Sequence, residues 1–449
     1  MPPAQLDPAE MISLVQQYVS LNLGLEVHQL CDKLQELAAT EDPAVMVMTK
    51  FFIPFTVKLY AMAAEQITTP VPVNLQDRVS VFTAEIINLF ANRCSAPNSH
   101  HQWTGGVPAS YIADFLNGDT GFVAIKVCTR EVAQSPRIHR ELRFYEHVSS
   151  LNSEYYGQAY IRGLFETFTI DGPSGQHLCL VHPPMHMTIG ELQRRNPSHR
   201  LKEQILKWTL FNLLSALSFL HDEAKVTHTD VNPSNIMLTV ADESILENFE
   251  RGEIEEPSPM KAIDDVRTIY GSRSLGLPKD SLWGPPALCD FGEARIGGPH
   301  KGLIQPEMYR APEVLFNMEW NTSVDIWNVA VLIWDLFENR HLFYALDENK
   351  EPSATHHVAE MVGYLGLPPL EYVQRSEVTR KVFDEQGRWK GAGGVDVPLL
   401  SLEESEEVLD GEDKERFLKF MRSMLRWLPE ERMRASELLK DPWLQGEIP

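Results

Sequence analysis

The first hundred residues carry apolar side chains at the spacing of amphipathic helices. A helix start is indicated by Asp7, which is followed by a proline and, two residues later, a glutamate. The stretch 11–19 keeps its apolar residues on one stripe, and similar spacing recurs in 25–37 and 79–90. We therefore predict a helical extension over residues 1–100, in which no group of residues suggests catalysis.

The pattern changes after a polar stretch near residue 100, and apolar positions then favour strands. Residues 122–127 are apolar except for Lys126, which predicts a strand with one embedded lysine. Residues 136–148 return to helical spacing and include Glu141. A lone lysine on a strand is common, but a carboxylate on the next helix makes an ion pair plausible. We expect Lys126 to contact Glu141.

Two apolar stretches precede a polar loop in the middle of the chain. Residues 178–185 indicate a buried strand that runs into a connection, and 203–221 predict a long, mostly apolar helix. Between 226 and 238, β-type residues then flank a loop that contains Asp230 and, five residues later, Asn235. A carboxylate base and a metal-ligating amide would give this loop a catalytic role, although both residue types are also common in turns.

A polar segment follows the loop before the apolar pattern returns. Residues 239–286 are acidic and contain several prolines, so we predict an insertion that is largely extended. A strand pattern resumes at 287 and ends in Asp-Phe-Gly, which begins with Asp290. Further on, Glu313 follows an Ala-Pro pair, and Arg432 is the candidate partner for its carboxylate.

Composition and charge restrict the partners of the protein. The chain has 449 residues, enough for two or three domains, with 43% hydrophobic and 23% charged residues. Its net charge of −23 argues against direct binding to nucleic acid or to anionic membranes. The same charge permits a basic protein partner, and it is equally compatible with simple solubility.

Cysteine usage and the first residues predict the compartment. The five cysteines are scattered and odd in number, which fits free thiols in a reducing environment. The start of the chain lacks the basic and apolar segments of a secretory signal, and the most apolar window is interrupted by charges. We expect an intracellular monomer in the cytoplasm, the nucleus or both.

The order of these motifs resembles that of the eukaryotic protein kinases. The lysine strand, the glutamate helix, the loop with Asp230 and Asn235, the Asp-Phe-Gly at Asp290 and the Ala-Pro-Glu that ends at Glu313 occur in the family's sequence. Five motifs in this order are far less probable by chance than any one of them. The resemblance covers residues 104–449 and says nothing about the first hundred.

The resemblance implies an α+β protein kinase fold with two lobes. A small β-rich lobe would span 104–185 and a large helical lobe 186–449, with the insertion at 239–286 between the catalytic loop and Asp-Phe-Gly. Within the family, the chain is similar to the SR-protein kinases, in particular their fungal relatives. That similarity is carried by Thr229, where most kinases have arginine, by the insertion, and by the stretch 324–366.

The threonine suggests how the activity is controlled. In most kinases the arginine at this place pairs with a phosphate on the activation segment. Here the segment 290–313 contains no serine or threonine, and its only hydroxyl group belongs to Tyr309. We therefore expect a kinase that is not switched by phosphorylation of this segment.

The resemblance also implies the cofactors ATP and Mg²⁺ and the roles of the main residues. Asp230 would orient the substrate hydroxyl and accept its proton. Asn235 and Asp290 would hold Mg²⁺, and Lys126, paired with Glu141, would hold the α- and β-phosphates.

Adenine would be read by the connection after the strand at 178–182. If His182 is the residue at the back of the pocket, the carbonyl of Pro183 and the amide of Met185 would contact the base. Ala124 would line the same pocket from the neighbouring strand.

The glycine-rich loop of the family is poorly kept. Its place is taken by residues 104–109, which include Gly105 and Gly106, and only Gly106 falls on a glycine position of the motif. Pro108 removes one backbone donor from this loop, which would weaken ATP binding.

A second departure lies beside the expected base. Most serine/threonine kinases have a lysine two residues after the catalytic aspartate, and this chain has Asn232. An amide carries no charge, and the loss of one such electrostatic contact costs about 2.7–4 kcal/mol. Two hypotheses therefore remain: a serine/threonine kinase for basic, Arg/Ser-type protein substrates, or a pseudokinase that serves as a binding scaffold.

Overall fold

Small antiparallel sheets and a larger set of helices make up the described part of the chain. The structure is a computed structural model, and it describes residues 122–128, 136–172, 175–262, 268–279 and 282–446. The predicted helical extension at 1–100 and the loop glycines Gly105 and Gly106 lie outside these residues.

The strands pair only in antiparallel fashion within the described residues. Their bounds are β1 Ala124–Val127, β2 Glu166–Gly172, β3 Gly175–His182, β4 Met185–Thr188, β5 Val226–Thr227, β6 Ile236–Thr239, β7 Met260–Ala262, β8 Thr268–Tyr270, β9 Pro286–Leu288 and β10 Arg295–Ile296. They form the sheets β1-β3-β2, β4-β6-β9, β5-β10 and β7-β8.

The first sheet separates apolar side chains from Lys126. Ile125 and Val127 of β1 form a buried cluster with Ile170 and Cys179. Successive side chains of a strand point to opposite faces, so Lys126 lies on the face away from this cluster. The predicted strand around the lysine is confirmed, with β1 covering its second half.

Twelve α-helices lie among the described residues. Their bounds are α1 Pro136–Leu151, α2 Ile189–Arg195, α3 Glu203–Ser218, α4 Ser244–Glu255, α5 Pro312–Leu315, α6 Ser323–Glu338, α7 Ala354–Leu365, α8 Leu370–Val373, α9 Leu402–Ser405, α10 Gly411–Met424, α11 Ala435–Leu438 and α12 Pro442–Gln445. None of these helices is long and apolar enough to cross a membrane.

Helix α1 turns one face towards the interior. Its buried residues Glu141, Phe144, Tyr145 and Val148 follow the i, i+3, i+4, i+7 spacing of a helix face. A buried carboxylate on this face needs a partner, because an unpaired charge in the interior is costly. The helix therefore presents Glu141 to the cleft together with apolar side chains.

Two apolar helices form the core of the helical part. The predicted helix at 203–221 forms as α3, and a short π-turn, Phe219–Glu223, follows it. Helix α6 is apolar on nearly all sides, and its residues Trp327 and Trp334 are fully buried. A helix of this composition belongs in the centre of a large core.

The insertion at 239–286 is more regular than the sequence suggested. The prediction that it is largely extended is wrong over Ser244–Glu255, which form the twelve-residue helix α4, and a hairpin of β7 and β8 follows. The helix buries Ile245 and Leu246, and Glu253 near its end accepts hydrogen bonds from Ser258 and Arg273. The acidic composition made two features hard to recognise in the sequence. One is the apolar pair at the start of α4, and the other is Glu253, which binds residues later in the same segment.

A buried ion pair joins distant parts of the helical region. Both terminal nitrogens of Arg432 donate to the Glu313 carboxylate, at 2.6 and 2.7 Å, and this pair was predicted from the sequence. The guanidinium also lies over the Trp327 ring, 5.1 Å from its centroid. Breaking such a pair would leave one charge buried without compensation.

A second buried carboxylate lies at the carboxyl end of α6. The Glu338 side chain is fully buried, with Arg200 3.9 Å away and Glu406 close by. Burial, followed by the nearby Glu406, raises the pKa of Glu338 to about 7. The end of a helix carries partial negative charge, which also disfavours an ionised carboxylate there.

Replacing Glu338 by glutamine should stabilise the protein at alkaline pH. A carboxyl whose folded pKa exceeds its unfolded value loses stability as pH rises, here from about 4.5 to about 7. We expect Glu338→Gln to gain about 1–2 kcal/mol in the free energy of unfolding at pH 8 relative to pH 5. Urea denaturation at both pH values measures this, with Glu404→Gln on the exposed surface as the control. An equal effect of Glu338→Gln at pH 5 and pH 8 would contradict the prediction.

Candidate active site

The loop between β5 and β6 is held by one buried carboxylate. Asp325, in the first turn of α6, accepts hydrogen bonds from the backbone amides of His228 and Thr229, each at 2.8 Å. The same carboxylate receives a hydrogen bond from His221 Nε2 at 2.8 Å. Thr229 has φ +71°, a left-handed conformation that a β-branched residue adopts only when its surroundings enforce it. Asp325 supplies that support.

The Asp230 carboxylate is oriented by two amides of its own loop. Asn232 Nδ2 donates to Oδ1 at 3.0 Å, and Asn235 Nδ2 donates to Oδ2 at 2.9 Å. Burial raises the pKa of Asp230, while His228 and the two amides act in the opposite direction. The two donors fix the plane of the carboxylate, one on each oxygen.

Lys126 connects the small sheet to α1 and to Asp290. Its Nζ lies 2.7 Å from Glu141 Oε2, so the predicted ion pair is present, and 3.7 Å from Asp290 Oδ1. Burial lowers the pKa of Lys126, but the Glu141 and Asp290 carboxylates more than offset this, and the pKa is raised overall. Like Thr229, Asp290 adopts a left-handed backbone, with φ +59°. The three side chains thus form one charged group in the cleft.

Phe291 fastens this group to α1. Its ring stacks on Phe144 with centroids 3.8 Å apart and an interplanar angle of 8°. It also meets the edge of His228, at 5.2 Å between ring centroids. Fully buried aromatic contacts of this kind hold the backbone of Asp290 in place between α1 and the loop.

The expected adenine-reading connection contains a contact that the sequence did not predict. His182 ends β3 and is buried, and its Nδ1 lies 2.9 Å from the carbonyl oxygen of Gly163. The carbonyl oxygen of Pro183 accepts from Arg162 Nε at 3.3 Å and from Nη2 at 3.0 Å. Met185 is buried at the start of β4, and Ala124 lies opposite His182 in the register of β1 and β3.

A second unpredicted contact centres on Glu293. Its carboxylate lies 2.7 Å from Arg140 Nη2 of α1 and 3.3 Å from Arg295 Nη2. Its backbone carbonyl accepts a hydrogen bond from Thr229 Oγ1 at 2.7 Å. This residue therefore ties α1, the loop and the segment after Asp290 together. No motif marks such a residue, because its partners are far apart in the chain.

The only hydroxyl of the segment 290–313 is not accessible. Tyr309 is buried, and its hydroxyl donates to Asp335 Oδ2 at 2.7 Å. Burial, then the nearby Asp335, raises the pKa of Tyr309. A kinase could not reach this hydroxyl without opening the contact.

The residues present fit a magnesium ion held jointly with phosphates. No group of three or more His, Cys, Asp or Glu side chains that could hold a metal occurs among the described residues. Mg²⁺ commonly takes one or two protein ligands and completes its shell with water and phosphate oxygens. Asn235 and Asp290 could supply two such ligands, because the Asn235 nitrogen already donates to Asp230 and its oxygen faces elsewhere.

Comparison with known proteins agrees with this geometry. The family model for the protein kinase domain matches residues 280–444. A serine/threonine protein kinase of Aspergillus fumigatus is 45% identical over 324 residues, which cover 72% of this chain and 78% of the relative. The fold is thus that of a protein kinase, as the sequence predicted. The chain belongs to the serine/threonine protein kinase family.

More distant relatives support the SR-kinase likeness. The serine/threonine-protein kinase SRPK of Physarum polycephalum is 24% identical over 307 residues, covering 64% of this chain and 71% of the relative. Protein kinase dsk1 of Schizosaccharomyces pombe is 20% identical over 394 residues, covering 68% and 72%. The resemblance noted from Thr229 and the insertion is therefore confirmed at the level of the family.

We predict that Glu293 positions α1 for phosphoryl transfer. Glu293→Ala should lower kcat about tenfold, because charged hydrogen bonds of this kind contribute about 1.5–3 kcal/mol. The exchange Arg140→Glu with Glu293→Arg should restore much of the loss, whereas either change alone should not. Steady-state transfer assays with phosphatase-treated protein measure both effects. Normal activity of Glu293→Ala would contradict this prediction. Loss of wild-type activity on phosphatase treatment would contradict it too, because a phosphate and not Glu293 would then be holding α1.

Proposed function

We propose that the protein transfers the γ-phosphoryl group of ATP to serine or threonine residues of basic protein substrates. The observation that carries the proposal is the assembled cleft, in which Lys126 contacts both Glu141 and Asp290. A kinase needs the lysine–glutamate pair, and an Asp-Phe-Gly aspartate placed to hold Mg²⁺, before transfer can occur.

Each residue of the cleft can be given a role in this reaction. Asp230 would accept the proton of the substrate hydroxyl, since its carboxylate is already oriented by two amides. Lys126 would bind the α- and β-phosphates, and Asn235 and Asp290 would ligate Mg²⁺. ATP and Mg²⁺, when bound, supply the phosphoryl group and the charge that stabilises its transfer.

The same cleft would bind the base of the nucleotide. Ala124 and Met185 would contact adenine, and the backbone at Pro183 and Met185 would face its polar edge. Gly105 and Gly106 would lie near the phosphates, and this part stays a prediction because both glycines are outside the described residues.

A basic substrate is supported by charge and by relatives. The chain carries a net charge of −23, which favours basic partners through long-range attraction. Its similarity to the kinases SRPK and dsk1 agrees with the SR-protein kinase resemblance, which implies Arg/Ser-type substrates. Residues 402–413 form a second acidic stretch, which adds little to the attraction, because its Glu403, Glu407 and Glu412 pair with arginines of this chain.

Permanent activity, without a phosphate on the activation segment, is the form of control that the geometry favours. Thr229 donates to the Glu293 carbonyl where an arginine would otherwise await a phosphate. Glu293 provides the negative charge that holds α1 through Arg140. The arrangement replaces a switchable phosphate with a fixed carboxylate.

A transfer assay tests the proposal directly. Wild-type protein should incorporate radiolabelled phosphate from ATP into an Arg/Ser peptide, and Asp230→Ala should reduce the rate by a factor of a hundred or more, on the order of the loss for a catalytic group. An acidic peptide with the same serine spacing serves as the substrate control. Incorporation no higher than that of Asp230→Ala would favour the pseudokinase alternative, and equal use of both peptides would contradict the basic substrate.

Asn232 sets the rate of the proposed reaction. The side chain donates to Asp230 and so positions the base, but it brings no charge to the transferred phosphoryl group. Asn232→Lys should raise kcat on the order of a hundredfold, because it supplies the missing electrostatic contact. Asn232→Ala should lower kcat, because Asp230 loses one of its two donors. Steady-state kinetics on the same peptide measures both, and an unchanged or lower kcat for Asn232→Lys would contradict this.

A further inference from the structure

The insertion carries an exposed Arg-Ser sequence. Serines flank Arg273 on both sides, at Ser272 and Ser274, and both serines are exposed. They follow strand β8 and belong to residues 271–278, which form neither helix nor strand. Exposed segments without regular structure are the places where another enzyme most easily reaches a chain. The two hydroxyl groups are therefore accessible to modification.

Two other Arg-Ser pairs of the chain are held in packed parts of the fold. They end at Ser376 and Ser423, and all three pairs lie in the described part of the chain. The Ser376 hydroxyl donates to the carbonyl oxygen of Phe316 at 2.7 Å, and the Ser423 hydroxyl donates to that of Phe420 at 2.6 Å. Both serines are partly buried, so the pair in the insertion is the one that presents its serine to solvent.

The charge around Arg273 differs from that of the whole chain. Residues 268–279 contain Arg273 and Lys279 and no acidic residue, whereas the chain has a net charge of −23. This stretch therefore has the local charge and the residue types of the basic, Arg/Ser-type substrate proposed for the cleft. An acidic protein thus carries, on its own surface, a short segment of the kind that its cleft is proposed to bind.

Glu253, near the end of α4, holds Arg273. The arginine Nε lies 2.6 Å from Glu253 Oε2, and Nη2 donates to the carbonyl oxygen of Glu256. The Arg273 side chain is still 28% exposed, and partly exposed ion pairs contribute little free energy because solvent competes for both charges. The guanidinium can therefore be released to another carboxylate, or to a phosphate on a neighbouring serine.

The segment is fixed to its own chain on both sides of the serines. The amide of Gly271 donates to the carbonyl oxygen of Pro259 at 2.6 Å, and the carbonyl oxygen of Gly276 lies 2.7 Å from His186 Nε2 on β4. Asp230 of the same chain is hydrogen-bonded within its own loop, so transfer inside one molecule would require the segment to leave these contacts. The cleft of another molecule can approach the serines while the contacts stay in place.

We propose that Ser272 and Ser274 are phosphorylated by a second copy of this chain. The inference rests on the proposed function, because it uses the same cleft, the same nucleotide and the same class of substrate. The serine oxygen forms a bond to the γ-phosphorus of Mg-ATP while the bond from that phosphorus to the β–γ bridging oxygen breaks. ADP departs with the electron pair of that bond, and the hydroxyl proton passes to Asp230 of the second copy and then to water. The new phosphate then competes with Glu253 for Arg273.

Transfer between two distinguishable copies tests this site. Wild-type protein is incubated with Mg-ATP and an affinity-tagged, full-length Asp230→Ala chain, which labels itself poorly, and mass spectrometry maps the phosphates on the tagged chain. We expect phosphate on Ser272 and Ser274. Replacing both serines by alanine in the tagged chain should remove most of the incorporated phosphate. Ser376→Ala, the matched control with the same dipeptide, should leave incorporation unchanged.

Two further tagged chains separate recognition of the arginine from loosening of the segment. Glu253→Gln and Arg273→Gln both break the ion pair, so loosening alone would change their phosphorylation in the same direction. Because the cleft recognises the cation, Glu253→Gln should raise the rate about two- to fivefold, as the loss of one partly exposed ion pair allows. Arg273→Gln should lower the rate. A change in the same direction for both chains would overturn the role of Arg273.

An Arg/Ser peptide in the same reaction separates this inference from the proposed function. Phosphorylation of the peptide without phosphate on Ser272 or Ser274 overturns the inference and leaves the kinase proposal intact. Phosphorylation of neither the peptide nor the tagged chain overturns both. Phosphate on these serines of the wild-type chain but not of the tagged chain would show transfer within one molecule, which contradicts the role of a second copy.

Discussion

The carboxylate of Asp325 is the contact on which the cleft depends. It lies at the start of a helix buried throughout the core, and it receives two backbone amides and one imidazole from the loop before β6. These bonds hold Thr229 in a left-handed conformation that would otherwise relax. Because Asp325 belongs to a buried core helix, it fixes the backbone of the loop. The amides of Asn232 and Asn235 then orient the Asp230 carboxylate.

The other half of the cleft is fixed by packing. Phe291 stacks on Phe144 and meets His228, so the backbone at Asp290 is held from both sides by aromatic rings. Lys126 then joins Asp290 to Glu141, and Glu293 joins the following residues to Arg140. The polar contacts do not have to create the arrangement, since apolar burial already brings α1 against the loop. Their function is to fix its final geometry.

Sequence reasoning succeeded where chemistry and order restrict the partner. Lys126 with Glu141, and Glu313 with Arg432, could be paired because each residue type needs an opposite charge and motif order left few choices. It failed where the partner is set by the folded backbone, as for Arg162 on Pro183 and Arg140 on Glu293. Helix α4 was missed for a different reason, since its acidic residues masked a short apolar stripe. The extension at 1–100 and the loop with Gly105 and Gly106 lie outside the described residues.

The departures from the usual kinase pattern share one physical feature. At Thr229 and Asn232 the chain has neutral side chains where most kinases carry a cation, and both neutral groups donate hydrogen bonds within the site. A cation at either place would attract a phosphate group. Thr229 and Asn232 instead hold Glu293 and Asp230 in position by hydrogen bonds. The exchange removes charges that would act on phosphate groups and leaves hydrogen bonds that fix the position of the loop. The two substitutions thus share one consequence, which is that a hydrogen bond within the site stands where most kinases have a charge that acts on a phosphate.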